Sequence, residues 1–321
     1  MQLKYFTLPL LALLLTSCGG KQQQPLSEAA AGDTLTGTIQ LSGAFALYPM
    51  AVKWAEDFRQ LHPNVKIDIS GGGAGKGMTD ALAGVVDVGM VSREVYPEEL
   101  AKGAYPIAVV KDAVVPTVNA ANPEAAAIRQ TGITREKAAR LWNGEISTWG
   151  QLLGTSSSAP VHVFTRSDAC GAGETFAAWL SKRQEGLKGT AVYGDPGVAS
   201  AVQKDRVGIG YNNIAYVYDQ HTKKPYAGIA VIPLDTDGDG KISADEDFYA
   251  TSETLIQAIR EGRFPSPPAR DLYMVTKGKP ASPALVAFLN YILSDGQQHV
   301  GEIGYIGLSA EQLDAEKRKV N

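Results

Sequence analysis

The chain has little cysteine, little histidine and no excess of basic charge. Its 321 residues contain two cysteines, Cys18 and Cys170, and four histidines, His62, His162, His221 and His299. Two cysteines exclude a disulfide framework, and if Cys18 is modified no intrachain bridge can form. Lysine and arginine together number 30 against 34 aspartates and glutamates, a formal net charge of −4. With no dense basic stripe, the electrostatic footprint of a nucleic-acid binder is missing. The one long apolar run, at the N-terminus, is too short for a transmembrane helix. No repeat of solenoid period is visible. What remains is a composition of 44% apolar and 20% charged residues, that of a folded protein of one large or two ordinary domains.

The N-terminus, MQLKYFTLPLLALLLTSC, carries one positive charge and an apolar run, and reads as a secretion signal. Its end, Leu15-Thr16-Ser17-Cys18, resembles the lipobox of bacterial lipoproteins, in which the cysteine is acylated (palmitate is one such chain) and becomes the new N-terminus. That resemblance implies export and a lipid anchor on a bacterial membrane, on its periplasmic or cell-surface side. Residues 19–33, GGKQQQPLSEAAAGD, are polar and small, and read as a tether.

From residue 34 one construction recurs: a strand, a turn of small residues, and a helix. The first runs from a strand at 34–41 through SGAFALY to a helix opened by Pro49, with Ala51, Trp54, Ala55 and Phe58 on its core face. The second has strand 65–69, the turn SGGGAGKG and a helix closing near Gly84. Its glycines strip side chains from the turn, so bare amides at a helix N-terminus can approach an anion. It is not a nucleotide-binding P-loop, because Ser70 and Gly77 stand where that motif needs glycine and Ser or Thr. The third has strand 161–165, the turn 166–173 (RSDACGAG) and a helix carrying Phe176, Trp179 and Leu180. Arg166 there offers a planar fork of donors to an oxyanion, with Asp168 placed to hold it. This rhythm predicts an α/β fold with parallel pairing.

Between and after these units, 86–91 and 207–211 read as buried strands, 107–118 as a long strand crossing into a second lobe, and 133–153 as a helical piece with Trp142 and Trp149. A strand at 229–234, a helix at 253–260, a strand at 272–276, a helix at 283–293 and a last helical stretch from Gln297 follow. The aromatic residues of 211–218 read as packing.

Residues 235–246, DTDGDGKISADE, fill every position of a calcium-binding loop. Asp235, Asp237, Asp239, Ser243 and Glu246 supply side chains, Lys241 a backbone carbonyl, and Gly240 the turn. The flanks do not pair as helices, so a structural Ca²⁺ is expected and no catalytic cofactor. Cys170, at a helix N-terminus near Arg166, could have a lowered pKa. No histidine lies near it in sequence, and a thiol enzyme is the least favoured reading.

KWAEDF, SGGGAGKG, VDVGMVSRE, RSDACGAGETF, VGIGYNNIAY and DLYMVTKGKP, in this order across residues 34–310, resemble the phosphate-binding proteins of ABC transporters. The resemblance implies a two-lobed periplasmic-binding-protein-like fold of type II, with the ligand in a cleft between lobes. It divides the chain into signal 1–18, linker 19–33, lobe 1 at 34–112 and 268–321, and lobe 2 at 113–267. It implies no enzyme activity, a monomer, membrane permease subunits as partners, and inorganic phosphate as ligand. The ligand positions carried over are Phe45, Ala46, Ala74, Gly75, Arg93, Arg166, Asp168, Cys170, Gly171 and Ala172. Several depart from the family: Phe45, Ala46, Ala74, Cys170 and Ala172 stand where it places Ser or Thr hydroxyls, and Arg93 stands where some members have Asp. Another oxyanion or a small organic anion is therefore the alternative ligand.

Overall fold

The computed structural model describes residues 34–321. The signal, Cys18 and the tether lie outside the described residues.

Nine strands form one continuous sheet, in the order β2-β1-β3-β9-β4-β7-β5-β6 with β8 beside β4. The strands are β1 (Gly37–Gly43), β2 (Val65–Gly71), β3 (Val88–Val91), β4 (Ala104–Asn119), β5 (His162–Arg166), β6 (Thr190–Val192), β7 (Gly208–Asn213), β8 (Ile229–Val231) and β9 (Ala269–Lys277). At one end β1 runs parallel to β2 and β3, and at the other β5 runs parallel to β6 and β7. The predicted strand–turn–helix units thus account for the parallel pairs. The antiparallel β4 and β9 join the two ends.

Two cores lie on this sheet, which makes the fold two-lobed. The first gathers Ile39, Trp54, Phe58, Met90, Ile107, Leu272, Phe288 and Tyr305. It closes because Pro49 starts the helix Tyr48–Leu61 and the apolar spacing buries Trp54 and Phe58 along one face. The helix Pro283–Ile292 covers that face, with Phe288 5.2 Å from Phe58 ring to ring, and Trp54 Nε1 donates to Gly296 O at 2.8 Å. The second core gathers Val114, Trp142, Trp149, Phe176, Ile209, Tyr211 and Phe264, with Phe176 stacked on Tyr211 at 4.5 Å.

Local details differ from the sequence expectation. Residues 194–204, assigned no element above, form a helix, Gly194–Lys204, opened by Gly-Asp-Pro-Gly. The strand expected over 229–234 is three residues long. The last helical stretch is broken at Gly304, in left-handed backbone (φ +95°), into Val300–Ile303 and Ala310–Val320.

The chain crosses between the cores twice, and the crossings are paired. Along β4, Val110 belongs to the first core and Ala113 to the second; along β9, Ala269 belongs to the second and Leu272 to the first. Asp112 and Arg270 face each other between them as cross-strand partners. Arg270 Nη2 lies 3.6 Å from Asp112 Oδ2, an ion pair too long for a hydrogen bond, and Asp112 is fully buried. Burial pushes its carboxyl up to about 7, against the opposing pull of Arg270.

A carboxyl with a folded pKa above its unfolded value of 3.8 takes up a proton on folding. Between that value and about 7 the folded state binds more protons, so stability falls as pH rises through this window. Asp112→Asn should remove this contribution. In urea denaturation, its stability relative to wild type should improve between pH 5 and pH 8; an unchanged difference would contradict the assignment.

Candidate functional site

Three turns meet where the lobes face each other, and glycine is what lets them. A Cβ on Gly73, whose φ is +86°, would lie 2.7 Å from Ala169 O and 2.9 Å from Asp168 Oδ2. A Cβ on Gly171 would lie 2.1 Å from the carbonyl and hydroxyl oxygens of Ser92. Gly72 and Gly73 donate to Gly43 O, tying the second turn to the first, and Gly75 N donates to Ala169 O across the cleft at 3.2 Å. The amides of Phe45, Ala46, Ala74, Gly171 and Ala172 take part in none of these bonds.

Arg166, the last residue of β5, stands at the centre with its side chain 1% exposed. Its Nε and Nη2 donate to the two oxygens of Asp168, at 2.8 and 2.6 Å, a bidentate clamp. Its Nη1 donates to Asp195 Oδ2 at 2.5 Å. Asp195 is itself fixed, accepting from Asn213 N at 3.2 Å, and Asp168 Oδ1 also accepts from Gly194 N at 3.1 Å. Burial works against the Arg166 charge, but Asp195 and then Asp168 hold its pKa above the ordinary value. The Phe45 ring covers the guanidinium at 5.9 Å.

The clamp has an electrostatic consequence. One guanidinium between two carboxylates sums to −1, and Arg270, its side chain 7% exposed, donates to Gly171 O at 2.7 Å and to Asn213 while pairing with Asp112. An anion here is therefore attracted by oriented amides and helix N-termini more than by net charge.

Of the ligand positions expected from sequence, Phe45, Ala46, Ala74, Gly75, Arg166, Asp168, Cys170, Gly171 and Ala172 lie in these meeting turns. Arg93 does not join them. It makes a bidentate pair with Glu99 (2.7 and 2.9 Å), stacks over Tyr96 at 4.3 Å, and lines a neighbouring cavity of about 1250 Å³ with Glu174, Lys182 and Arg183. Sequence reasoning missed Asp195, Asn213, Ser92 and the Asp112–Arg270 pair. An isolated charge inside an apolar strand, as in Val110-Lys111-Asp112-Ala113, was the available signal for the last.

Cys170 is a helix cap: its Sγ accepts from Gly173 N at 3.2 Å. Burial pushes the thiol up to about 12 in spite of Arg166, and His162, the histidine of the same unit, pairs with Asp205 at 2.6 Å. This geometry is that of an inert sulfur. In the loop 235–246, one carboxylate oxygen each from Asp235, Asp237 and Asp239 lie within 4.8 Å of one another. Glu246 stands outside that trio, its oxygens accepting from Thr236 and Ser243 at 2.7–3.1 Å. Burial opposes its charge, but those bonds outweigh burial and hold its pKa at about 2. Ser243 contributes to this turn through its amide and hydroxyl, while Lys241 N donates to Asp239 Oδ1 at 2.8 Å. The turn is docked by Ile242 N donating to Gln130 O at 2.8 Å.

A sequence profile described as the PBP superfamily domain matches residues 28–296. The chain therefore belongs to the PBP superfamily. Among individual proteins, it is similar to the phosphate-binding protein PstS of Xylella fastidiosa (strain Temecula1), 27% identical over 85% of this chain and 82% of that one. The phosphate-binding protein PstS of Pseudomonas aeruginosa (strain PAO1) is 28% identical over 89% of this chain and 88% of that one. A candidate phosphate ABC transporter substrate-binding protein from Clostridium perfringens, crystallised with bound phosphate, shares the fold with a TM-score of 0.70 at 22% identity, over 85% of this chain and all of its own.

The buried thiol gives a direct check. In protein carrying Cys18→Ala, so that Cys170 is the only thiol, the native state at pH 8 should react with Ellman's reagent at under about 1% of the rate of the urea-unfolded state, because the thiolate is both depopulated and covered. Comparable rates in the two states would show Cys170 to be accessible and activated.

Proposed function

We propose that this chain is the extracytoplasmic receptor of an ABC importer and binds inorganic phosphate between its lobes. The observation that carries the proposal is the convergence of three glycine-lined turns on the buried Arg166–Asp168 clamp, with the amides of Phe45, Ala46, Ala74, Gly171 and Ala172 left for a ligand. The relatives named phosphate-binding proteins support the choice of anion. Lobe 1 would comprise 34–112 with 268–321 and lobe 2 residues 113–267, with closure about the β4–β9 crossing. The reaction is recognition, with no bond made or broken, followed by transfer to membrane permease subunits. The receptor would be a monomer, held to the membrane by acylated Cys18.

A second reading keeps the class and changes the ligand. Phe45, Ala46, Ala74, Cys170 and Ala172 offer no hydroxyl, and each charged hydrogen bond forgone is worth about 1.5–3 kcal/mol. This favours another oxyanion or a small organic anion. Calorimetry with phosphate, sulfate, arsenate and molybdate, on protein stripped by unfolding and refolding, separates the readings. Phosphate should bind most tightly, with arsenate next; heat from sulfate or molybdate alone would contradict the phosphate reading.

The aspartates of the loop 235–246 support a structural calcium ion, with Glu246 swinging from Thr236 and Ser243 to complete the shell. Calcium at a hundred times its dissociation constant would stabilise by about 2.7 kcal/mol. The melting temperature should rise in calcium and not in magnesium, and Asp235→Ala with Glu246→Ala should abolish the rise while phosphate binding persists. Identical melting curves in calcium and in chelator would leave the motif without its ion.

A further inference from the structure

We propose that the anion is taken up together with a proton, which Asp112 receives where β4 and β9 cross between the cores. Asp112 is fully buried, so it acts on the anion through charge and through Arg270 rather than by contact. Neither of its carboxylate oxygens has a hydrogen-bond partner among the described residues. The amides of Ala113 and Ile214 favour its charge from nearby, without hydrogen-bond geometry. Its partner Arg270 stands 3.6 Å away and is shared, donating to Gly171 O in the third turn at 2.7 Å and to Asn213. Asn213 in turn donates its backbone N–H to Asp195, which clamps Arg166. One chain of polar contacts therefore runs from Asp112 to the turn and to the clamp.

The titratable groups facing Asp112 come from four segments. β9 brings Arg270, and the helix Gly194–Lys204 brings Asp195, whose charge disfavours an ionised Asp112. Tyr216 follows β7 and Tyr305 precedes the last helix, and burial holds both phenols far above their usual value, so they stay neutral. Lys111 and Asp271, the sequence neighbours, pair with each other at 3.1 Å on the opposite face of the strands. Five charges remain. Arg166 and Arg270 carry +2 and Asp112, Asp168 and Asp195 carry −3, every side chain less than a tenth exposed. The network sums to −1 with Asp112 ionised and to zero with it protonated, and only the first state repels an anion at the third turn. By linkage, an anion bound there raises the proton affinity of Asp112 by the same free energy. Burial lifts this carboxyl to about 7, so affinity is full below that value and falls as pH rises through it.

The inference rests on the phosphate reading for its probe. Wild type and Asp112→Asn, both stripped by unfolding and refolding, are titrated with inorganic phosphate in a calorimeter at pH 6 and pH 9 and one ionic strength. The ionisation of phosphate itself is common to both proteins and cancels in the ratio of their affinities. That ratio should be near one at pH 6. At pH 9 the variant should bind about tenfold more tightly than wild type, the effect of one unit charge at about 10 Å in a protein interior. At pH 8 wild type should also take up more protons per phosphate than the variant, read from binding heats in buffers of different ionisation enthalpy. If Asp112→Asn misfolds, wild type alone decides: phosphate added at pH 8 should strengthen the infrared C=O stretch of a protonated carboxyl group. A ratio that does not change with pH, or no gain in that band, overturns the coupling and leaves the phosphate reading standing. Phosphate that binds neither protein at either pH overturns the phosphate reading, and this inference with it.

Discussion

The arrangement of this cleft depends on one buried guanidinium held between two carboxylates. Arg166 cannot be left unpaired at 1% exposure, and Asp168 and Asp195 cannot be left without it. Removing one partner of such a group typically costs about 3–5 kcal/mol, because a charge stays buried without compensation. The clamp therefore fixes more than the arginine. Asp168 ties the third turn to Gly194, and Asp195 ties the helix Gly194–Lys204 to β7 through Asn213. The same clamp cancels the charge that would draw in an anion, so an anion bound there would depend on backbone amides pointing from helix N-termini.

The clamp is also joined to the crossing strands. Arg270 donates to Gly171 O and to Asn213, and faces Asp112 where β4 and β9 pass between the cores. Burial lowers the pKa of Arg270, with Asp112 pulling it back up. Third turn, clamp and crossing thus share one polar network in an apolar setting, where a change at any member is felt by the others.

How much of this could be read in the sequence follows from what was local. The parallel strand–turn–helix units were legible because apolar spacing and glycine placement declare them within some twenty residues. Arg166 and Asp168 were legible because a charged pair inside a glycine-rich turn is unusual. Asp195 was not, because it comes to Arg166 only through the packing of β5 beside β7. Arg93 shows the converse: its charge was visible, but Glu99, six residues on, captures it within its own segment. For Cys170 the local rule pointed the wrong way. A helix N-terminus lowers a thiol's pKa, but burial raises it more. The aspartates of the loop 235–246 gather as their spacing implies, whereas Glu246 turns to nearby hydroxyls and amides that spacing cannot weigh.

A crystal structure grown in phosphate tests the central claim most directly. The account predicts a tetrahedral anion beside Arg166, within hydrogen-bond distance of the amides of Phe45, Ala46, Ala74, Gly171 and Ala172. Density for phosphate in the cavity beside Arg93 instead, with the three turns making no contact to it, would contradict the account.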